Sequence, residues 1–321
     1  MKPLLVKNLL FSILLSASIC GLLQAQTARL KRFQYSQMHM GVRVTITLYA
    51  PDADTAQRAC RSAFSRIAEI EQITSDYRPD SELMRLCAQA GGAPMRVSDH
   101  LFFVLQKAIL LSERTQGAFD VTVGPFVQLW RRARRTGQFP TPQELCEAKQ
   151  RVGYQKIRLN QEDKTVQLLV PGMRLDLGGI AKGYALDCAL AELNRLGIRH
   201  AMIEAGGDIV AGLAPPKTAG WKIKIANAPP DRQWVYLALG AISSSGDTEQ
   251  YVEFGGKRYS HIVDPRTGLG LTTRTAATVI ARNGITSDSL ATALCVLGEK
   301  QGKELIRTMT DVRAFIREVS G

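Results

Sequence analysis

The sequence predicts an α+β protein: one domain of mixed, largely antiparallel sheet packed with helices. Three observations predict it. Segments that alternate apolar and polar residues are separated by hairpin-like glycine and proline turns. Helical spacings are scattered among them without a long strand–helix–strand series. No Pro- or Ser-rich linker divides the 321 residues.

Taken in order, Gly41 to Tyr49 alternates through Val42, Val44, Ile46 and Leu48 and reads as a half-buried strand ended by Pro51. Asp54 with Gln57 three residues on marks a helix start, and Ala56, Cys60, Phe64 and Ile67 recur at helical spacing. Tyr77 to Leu83 is a loop into a short helix. Ser98 opens a strong helix with Leu101, Leu105, Ala108 and Leu111 inward, ending near Gly117. Ala118 to Pro125 carries too much glycine and proline at its end to prolong a helix. Thr141-Pro142-Gln143-Glu144 is a capping box with proline in the first turn, opening a helix to about Arg151.

Met173 to Leu177 reads as the end of a strand. It breaks at Gly178-Gly179 into a helix with Leu186, Leu190 and Leu193 on one stripe and Gly197 as its stop. His200 to Glu204 is a strand that breaks at Ala205-Gly206-Gly207-Asp208 and resumes through Ile209. Trp221 to Ala226 and Trp234 to Leu239 alternate like paired strands, Ala241 to Gly246 is small and polar, and Gly255-Gly256 is a hairpin turn. Tyr259 to Val263 is a strand stopped by Asp264 to Gly268, and Ala276 to Ala281 another. Thr286 to Leu297 is a helix closed by Gly298, and Val312 to Ile316 a last strand.

Residues 1–25 read as an export signal: Lys2 and Lys7 precede a short apolar run, and Leu23 and Ala25 stand before a cut ahead of Gln26. Residues 26–321 are then the mature chain, read as one domain. Cys20 offers lipid attachment as the alternative, although Ile19 before it is bulky. Without the signal the formal charge falls from +12 to +10, a balance suited to anionic ligands, acidic partners or headgroups. The five remaining cysteines are odd in number and form no C-x-x-C pair, and no two of the four histidines have metal-ligand spacing, which argues against a disulfide framework and a zinc site. No nucleic-acid module is visible, because basic residues do not interleave with aromatics in any such motif.

The glycine turn at 178–179 suits an anion, above all a phosphate, since it leaves a positive helix end and backbone N–H groups facing one spot. Relief of crowding explains such a turn equally well. Asp288 and Thr292 stand four apart at a helix start and project oxygens from one face, the sparse hard-oxygen ligation magnesium accepts when phosphates and water complete its shell. The alternative is that Asp288 complements the helix end while Thr292 bonds back to its own helix. His261, read as a strand residue beside Asp264, is a proton carrier or a structural hydrogen bonder. Tyr77 and Phe119 are stacking surfaces or packing. Arg131, Arg132, Arg134 and Arg135 are a solvated helix face or a docking patch for an acidic partner.

The order of these segments is more specific than any one of them. Met40-Gly41 before a strand, Ser75 to Leu83, Gly117 to Pro125, Asp176 to Gly183, Gly206-Gly207-Asp208, His261 to Gly268, and Asp288 with Thr292 follow in turn. Together they resemble the ApbE-like FAD:protein FMN transferases over nearly the whole chain after the signal. The resemblance implies the ApbE-like fold, FAD as substrate, and magnesium (Mg2+). It implies transfer of the FMN half of FAD onto a Thr or Ser hydroxyl of an acceptor flavoprotein, membrane redox subunits among them, with release of AMP. Position by position, Met40, Tyr77, Ala118, Phe119, Asp120, Asp176, Lys182 and His261 or Ile262 match FAD-contact positions. Gly179 through its carbonyl, Asp288 and Thr292 match metal positions, while Ala291 stands where an acidic residue can occur. On this reading Asp288 and His261 are the catalytic candidates. Many members are exported, which implies a periplasmic protein, with anchoring to the inner membrane as the alternative. A side activity as FAD pyrophosphatase and a non-catalytic flavin carrier are the rival functions.

Overall fold

A computed structural model describes residues 30–225, 228–246 and 251–319. The segment read as an export signal, with Cys20, lies outside the described residues, as does Ala226.

The described residues build fourteen strands and seven α-helices. A seven-stranded sheet is the backbone of the molecule, in the order β1 (Lys31–His39), β2 (Val42–Ala50), β6 (Ala201–Ala205), β7 (Asp208–Ala211), β10 (Gly240–Gly246), β13 (Arg274–Ala281), β14 (Arg313–Val319). Every described ladder in it is antiparallel. The expected α+β class with a largely antiparallel sheet is therefore what the chain adopts. Smaller antiparallel sheets join β3 (Met95–Arg96), β5 (Thr165–Leu168) and β4 (Ile157–Asn160), β8 (Trp221–Lys224) with β9 (Trp234–Leu237), and β11 (Tyr251–Phe254) with β12 (Lys257–Ser260).

Three long helices cover one face of the large sheet. α1 (Ala53–Thr74) and α6 (Ala181–Arg195) pack with β2 and β6 around Ile46, Leu48, Phe64, Ile67, Leu186 and Ile203. α7 (Gly284–Arg307) packs on β10, β13 and β14, and its Leu290 and Leu294 join a second core with α2 (Glu82–Ala88) and α3 (Asp99–Arg114). The other face carries the β8–β9 ribbon, whose Trp221, Ile223 and Leu237 meet Met202, Ile209, Ile242 and Ile280. α4 (Gly124–Thr136) and α5 (Pro142–Lys149) form a satellite core around Phe126, Trp130 and Ala148. Among the described residues no helix is long and apolar enough to cross a membrane.

Local chemistry explains most boundaries. Ser98 accepts from Leu101 N–H, and the Thr141–Glu144 capping box is complete in both directions. Trp221 pairs with Leu237 and Gly255-Gly256 joins β11 to β12, as the alternation and the turn predict. Other expectations are corrected. The first long helix is capped by Asp52, whose carboxylate accepts from Thr55 N–H, two residues before Asp54. Gly124-Pro125 opens α4 instead of ending an element, because a proline in the first turn needs no N–H partner. Met173 to Leu177 is not a strand. Its alternation is real, with Met173, Leu175 and Leu177 buried, but Asp176 N–H goes to Val121 O and no neighbouring strand pairs with it.

At the C-terminal side β12 ends at Ser260, so His261 sits at the bend that follows and not on a strand. α7 begins at Gly284 under an Asn283 cap, earlier than Thr286; Gly298, at φ 73°, breaks the helical backbone where the sequence placed the stop, and a second helical stretch follows it to Arg307. Five of the described strands carried no sequence expectation: β1, β3, β4, β5 and β10, the last an interior strand of the large sheet built from small and polar residues.

Candidate functional site

The site forms where α6 and α7 start. The N-cap of α6, Ile180, makes no side-chain cap, so the first turn leans on its neighbour: Gly183 N–H donates to Asp288 Oδ2 at 2.8 Å. The reverse contact exists one turn further along. Asp187 of α6 accepts from Gly284 N–H at 2.6 Å and from Ile285 N–H at 2.9 Å, the opening N–H groups of α7. Each helix thus supplies a carboxylate to the positive end of the other. Glycines permit the approach, since a Cβ on Gly183 would lie 2.1 Å from Gly284 O, and one on Gly284 would lie 2.4 Å from Gly183 O.

The glycine turn is pressed against the same place. A Cβ on Gly179 would stand 2.9 Å from Thr292 Oγ1, and that hydroxyl lies 3.4 Å from Ser245 Oγ on β10. Gly179 packs on Thr292 and Gly183 bonds to Asp288, so the glycine turn and the start of α7, far apart in sequence, lie side by side. Ala291 is fully buried and faces the core.

Charge around this point is unbalanced. Lys182 forms an ion pair with Asp208 at the start of β7, where Gly206 and Gly207 at φ 51° and 94° turn the chain. Burial pulls the Lys182 ammonium down, but Asp208 and Asp288 outweigh it and hold it above its ordinary value. Asp288 is 3% exposed; burial and then the Asp208 charge push its carboxyl up to about 7, against Lys182 and the Gly183 N–H. Burial takes Asp187 to about 6, opposed by its two backbone bonds. Two carboxylates, Asp208 and Asp288, face the one Lys182 ammonium, and this crowding of negative charge in a dry place favours a proton on Asp288. A divalent cation at this point would take that proton's place.

The donors suit such an ion. Asp288 carboxylate, Thr292 hydroxyl and the Gly179 carbonyl are hard oxygens, the set a magnesium ion accepts when water and phosphate complete its shell. Among the described residues no cluster of three or more His, Cys, Asp or Glu is arranged for a metal. The site is an open seat, not a closed cage. All five described cysteines are free, which agrees with the absence of a disulfide framework.

Next to the turn lies a second charged group. Asp176 Oδ1 accepts from Gly178 N–H at 2.8 Å, and its Oδ2 accepts from Arg131 Nη2 at 3.0 Å. Arg131 Nη1 donates to Asp76, and its guanidinium carbon lies 4.1 Å from the Tyr77 ring centroid. Burial and Asp76 raise the Asp176 carboxyl, opposed by Arg131 and Gly178 N–H. Arg131 is therefore neither on a solvated face nor in a docking patch, whereas Arg132 reaches Glu144 at 2.6 Å and ties α4 to α5.

The remaining expected positions divide. Tyr77 is 75% exposed, and Met40 sits at φ 50° in the two-residue β1–β2 turn with Gly41 at φ 75°. Positive φ is rare for a bulky residue and marks a position held by its surroundings. Ala118, Phe119 and Ile262 are buried in the core, so any ligand there would meet little more than their backbone or ring edges. Asp120 turns inward: Oδ1 accepts from Thr122 N–H and Oγ1, and Oδ2 from Tyr154 N–H. His261 is exposed at the head of the 261–268 loop, and Asp264 in that loop pairs with Arg266. Trp130 Nε1 donates to Gly268 O at 2.8 Å and pins the loop to α4.

Sequence reasoning missed Asp76, Arg131 and Asp208 as site residues. Asp208 alone had a local signal, the paired glycines before it.

The model of the ApbE family matches residues 40–316. A protein of Vibrio cholerae named FAD:protein FMN transferase is 36% identical over 243 residues, covering 74% of this chain and 72% of that one. Its namesake in Treponema pallidum is 30% identical over 327 residues, covering 96% and 89%. The apo crystal structure of the Pseudomonas stutzeri flavinyl transferase ApbE superimposes with a TM-score of 0.81 at 28% identity, over 91% of this chain and 92% of that one.

Proposed function

The chain belongs to the ApbE family of transferases, and we propose that it moves the FMN half of FAD onto a Thr or Ser hydroxyl of an acceptor protein with the help of magnesium. The hydroxyl oxygen bonds to the FMN phosphorus, the bond from that phosphorus to the AMP oxygen breaks, and AMP leaves while the hydroxyl proton is lost. Such a displacement needs charge neutralisation, in-line placement and a proton acceptor.

The observation that carries this reading is the packing of Gly179 on Thr292 beside an Asp288 bound to Gly183 N–H. It supports a reading in which a phosphate-binding turn and a hard-oxygen seat for the ion adjoin. Asp288, Thr292 and the Gly179 carbonyl would hold the ion, which supplies positive charge to the diphosphate. Lys182 keeps donors beyond the one given to Asp208 and would hold a phosphate oxygen, with the Gly178-Gly179 turn doing the same. His261, exposed beside Ile262, is the residue we assign to taking the hydroxyl proton or orienting the flavin phosphate. Met40, Tyr77, Ala118, Phe119 and Asp120 supply the walls of the dinucleotide site in this reading. Residues 1–25 would direct the protein to the periplasm, where an acceptor such as a membrane redox subunit is reached. N-terminal sequencing of the exported protein should start at Gln26, and a lipidated Cys20 at the terminus would replace that with a membrane anchor.

The test mixes the protein with FAD, magnesium and a candidate acceptor, and reads the acceptor by mass spectrometry. The expected result is one FMN added per acceptor with one AMP released, and no reaction after chelation of the metal. Free FMN with unmodified acceptor would mean hydrolysis by water instead, and intact FAD would leave only a flavin carrier.

A further inference from the structure

We propose that Arg131 is a positioning residue: it holds Tyr77 as a one-sided stacking platform for a planar ring of the dinucleotide and ties that platform to the glycine turn. The proposal takes its ligand from the transfer reading above.

The guanidinium bridges two carboxylates in its plane. Its two terminal nitrogens donate to Asp76 and Asp176, whose side chains are 17% and 12% exposed, so both oxygens sit in poorly hydrated positions where charge-assisted bonds are strong. The flat face that remains lies under the Tyr77 ring at 4.1 Å, the cation–π arrangement that a fork-shaped cation makes and an ammonium cannot match.

Tyr77 itself is the unusual partner. Its backbone is pinned, because Ser75 Oγ accepts from the N–H groups of Tyr77 and Arg78, and Ser81 Oγ donates to Ser75 O at 2.6 Å. Yet its ring is 75% exposed, with one face covered by Arg131 and the rest open. A large aromatic held rigid and left in solvent loses little freedom when a second ring stacks on it, which is how preorganisation raises affinity.

The platform is also wired to the turn. Asp176 gives Oδ2 to Arg131 and Oδ1 to Gly178 N–H, and Gly179 follows against Thr292. Tyr77, Arg131, Asp176 and Gly178 thus form one continuous set of contacts. It sets the distance between a ring and the phosphates attached to it. A ligand with both parts gains from that spacing, whereas either part alone does not.

Three variants test this: Tyr77→Ala, Arg131→Lys, and Arg131→Met combined with Asp76→Asn, which removes both charges together so that the fold keeps its balance. FAD, ADP and inorganic pyrophosphate are titrated with magnesium, flavin fluorescence is followed, and KM and kcat for FAD are separated. Tyr77→Ala and the double variant should each weaken FAD tenfold or more and leave pyrophosphate within twofold, with KM rising by more than kcat falls. Arg131→Lys should behave like the double variant, because an ammonium cannot bridge both carboxylates and lie flat. ADP loses the same factor if the adenine rests on Tyr77, and flavin quenching is lost if the isoalloxazine does. FAD affinity within twofold of the parent in Tyr77→Ala and the double variant, or parallel weakening of FAD and pyrophosphate, overturns the proposal. A parent protein that binds FAD through Tyr77 and transfers nothing would sink the transfer reading and leave the platform standing. One that transfers FMN with these variants unchanged would do the reverse.

Discussion

Asp288 concentrates the chemistry of the site into one side chain. It is buried, bonded to Gly183 N–H, and shifted up to about 7 by burial and by Asp208. Replacing it with Ala should lower magnesium-dependent transfer by at least about 10²-fold, as losing one preorganised charge partner does; a metal titration of the rate checks this. Gly179→Ala probes the same seat from the opposite wall, since its Cβ would stand 2.9 Å from Thr292 Oγ1. The variant should need several times more magnesium for half-maximal rate while folding normally. Asp288 and Thr292 were legible because a spacing of four puts them on one helix face. Asp176 and Lys182 were legible as the flanks of a glycine turn. Arg131 was not, because its partner Asp176 is 45 residues away and nothing local marks such a pair; Asp208 had only the paired glycines before it, and its partner Lys182 is 26 residues away.

Between elements, the crossing of α6 and α7 decides whether the site exists. Gly183 and Gly284 let the two backbones touch, and Asp288 and Asp187 exchange carboxylates across the gap. Gly183→Ala would drive a Cβ to 2.1 Å from a carbonyl oxygen, a clash with backbone that no rotamer relieves. It should cost about 2–3 kcal/mol of stability by overpacking, visible in thermal or urea denaturation, and abolish metal binding. Both helix positions were recoverable from periodicity. Their contact was not. Caps such as Ser98 and Thr141 were readable for the same reason that the helices were, being interactions within four residues. Met173 to Leu177 shows the limit: an alternating pattern records which side chains are buried, and only a neighbouring strand makes it a strand.

For the molecule as a whole, the buried carboxylates set a pH dependence. An acid whose folded pKa lies above its unfolded value adds stability below about pH 4, and that stability is lost as pH rises through the folded pKa. For Asp187 and Asp288 the loss falls between pH 4 and about 6 and 7. Magnesium binding only the folded, ionised form should offset it. The rise in melting temperature on adding magnesium should therefore be larger at pH 8 than at pH 5.5, and should vanish in Asp288→Asn at both. An equal shift at the two pH values would place the ion elsewhere.

Taken alone, the amino-acid order settled the class of the fold, most helices, the Ser98 and Thr141 caps, the β8–β9 pairing and the Gly255-Gly256 hairpin, and the family resemblance. All of these rest on periodicity, turn chemistry and motif order, which are written in neighbouring residues. Tertiary structure decided the sheet order, the interior place of β10, the α6–α7 contact and the Asp76–Arg131–Asp176 group. Those depend on which distant segments share a dry space, where charge interactions and desolvation take their size from distance in three dimensions and not from separation along the chain.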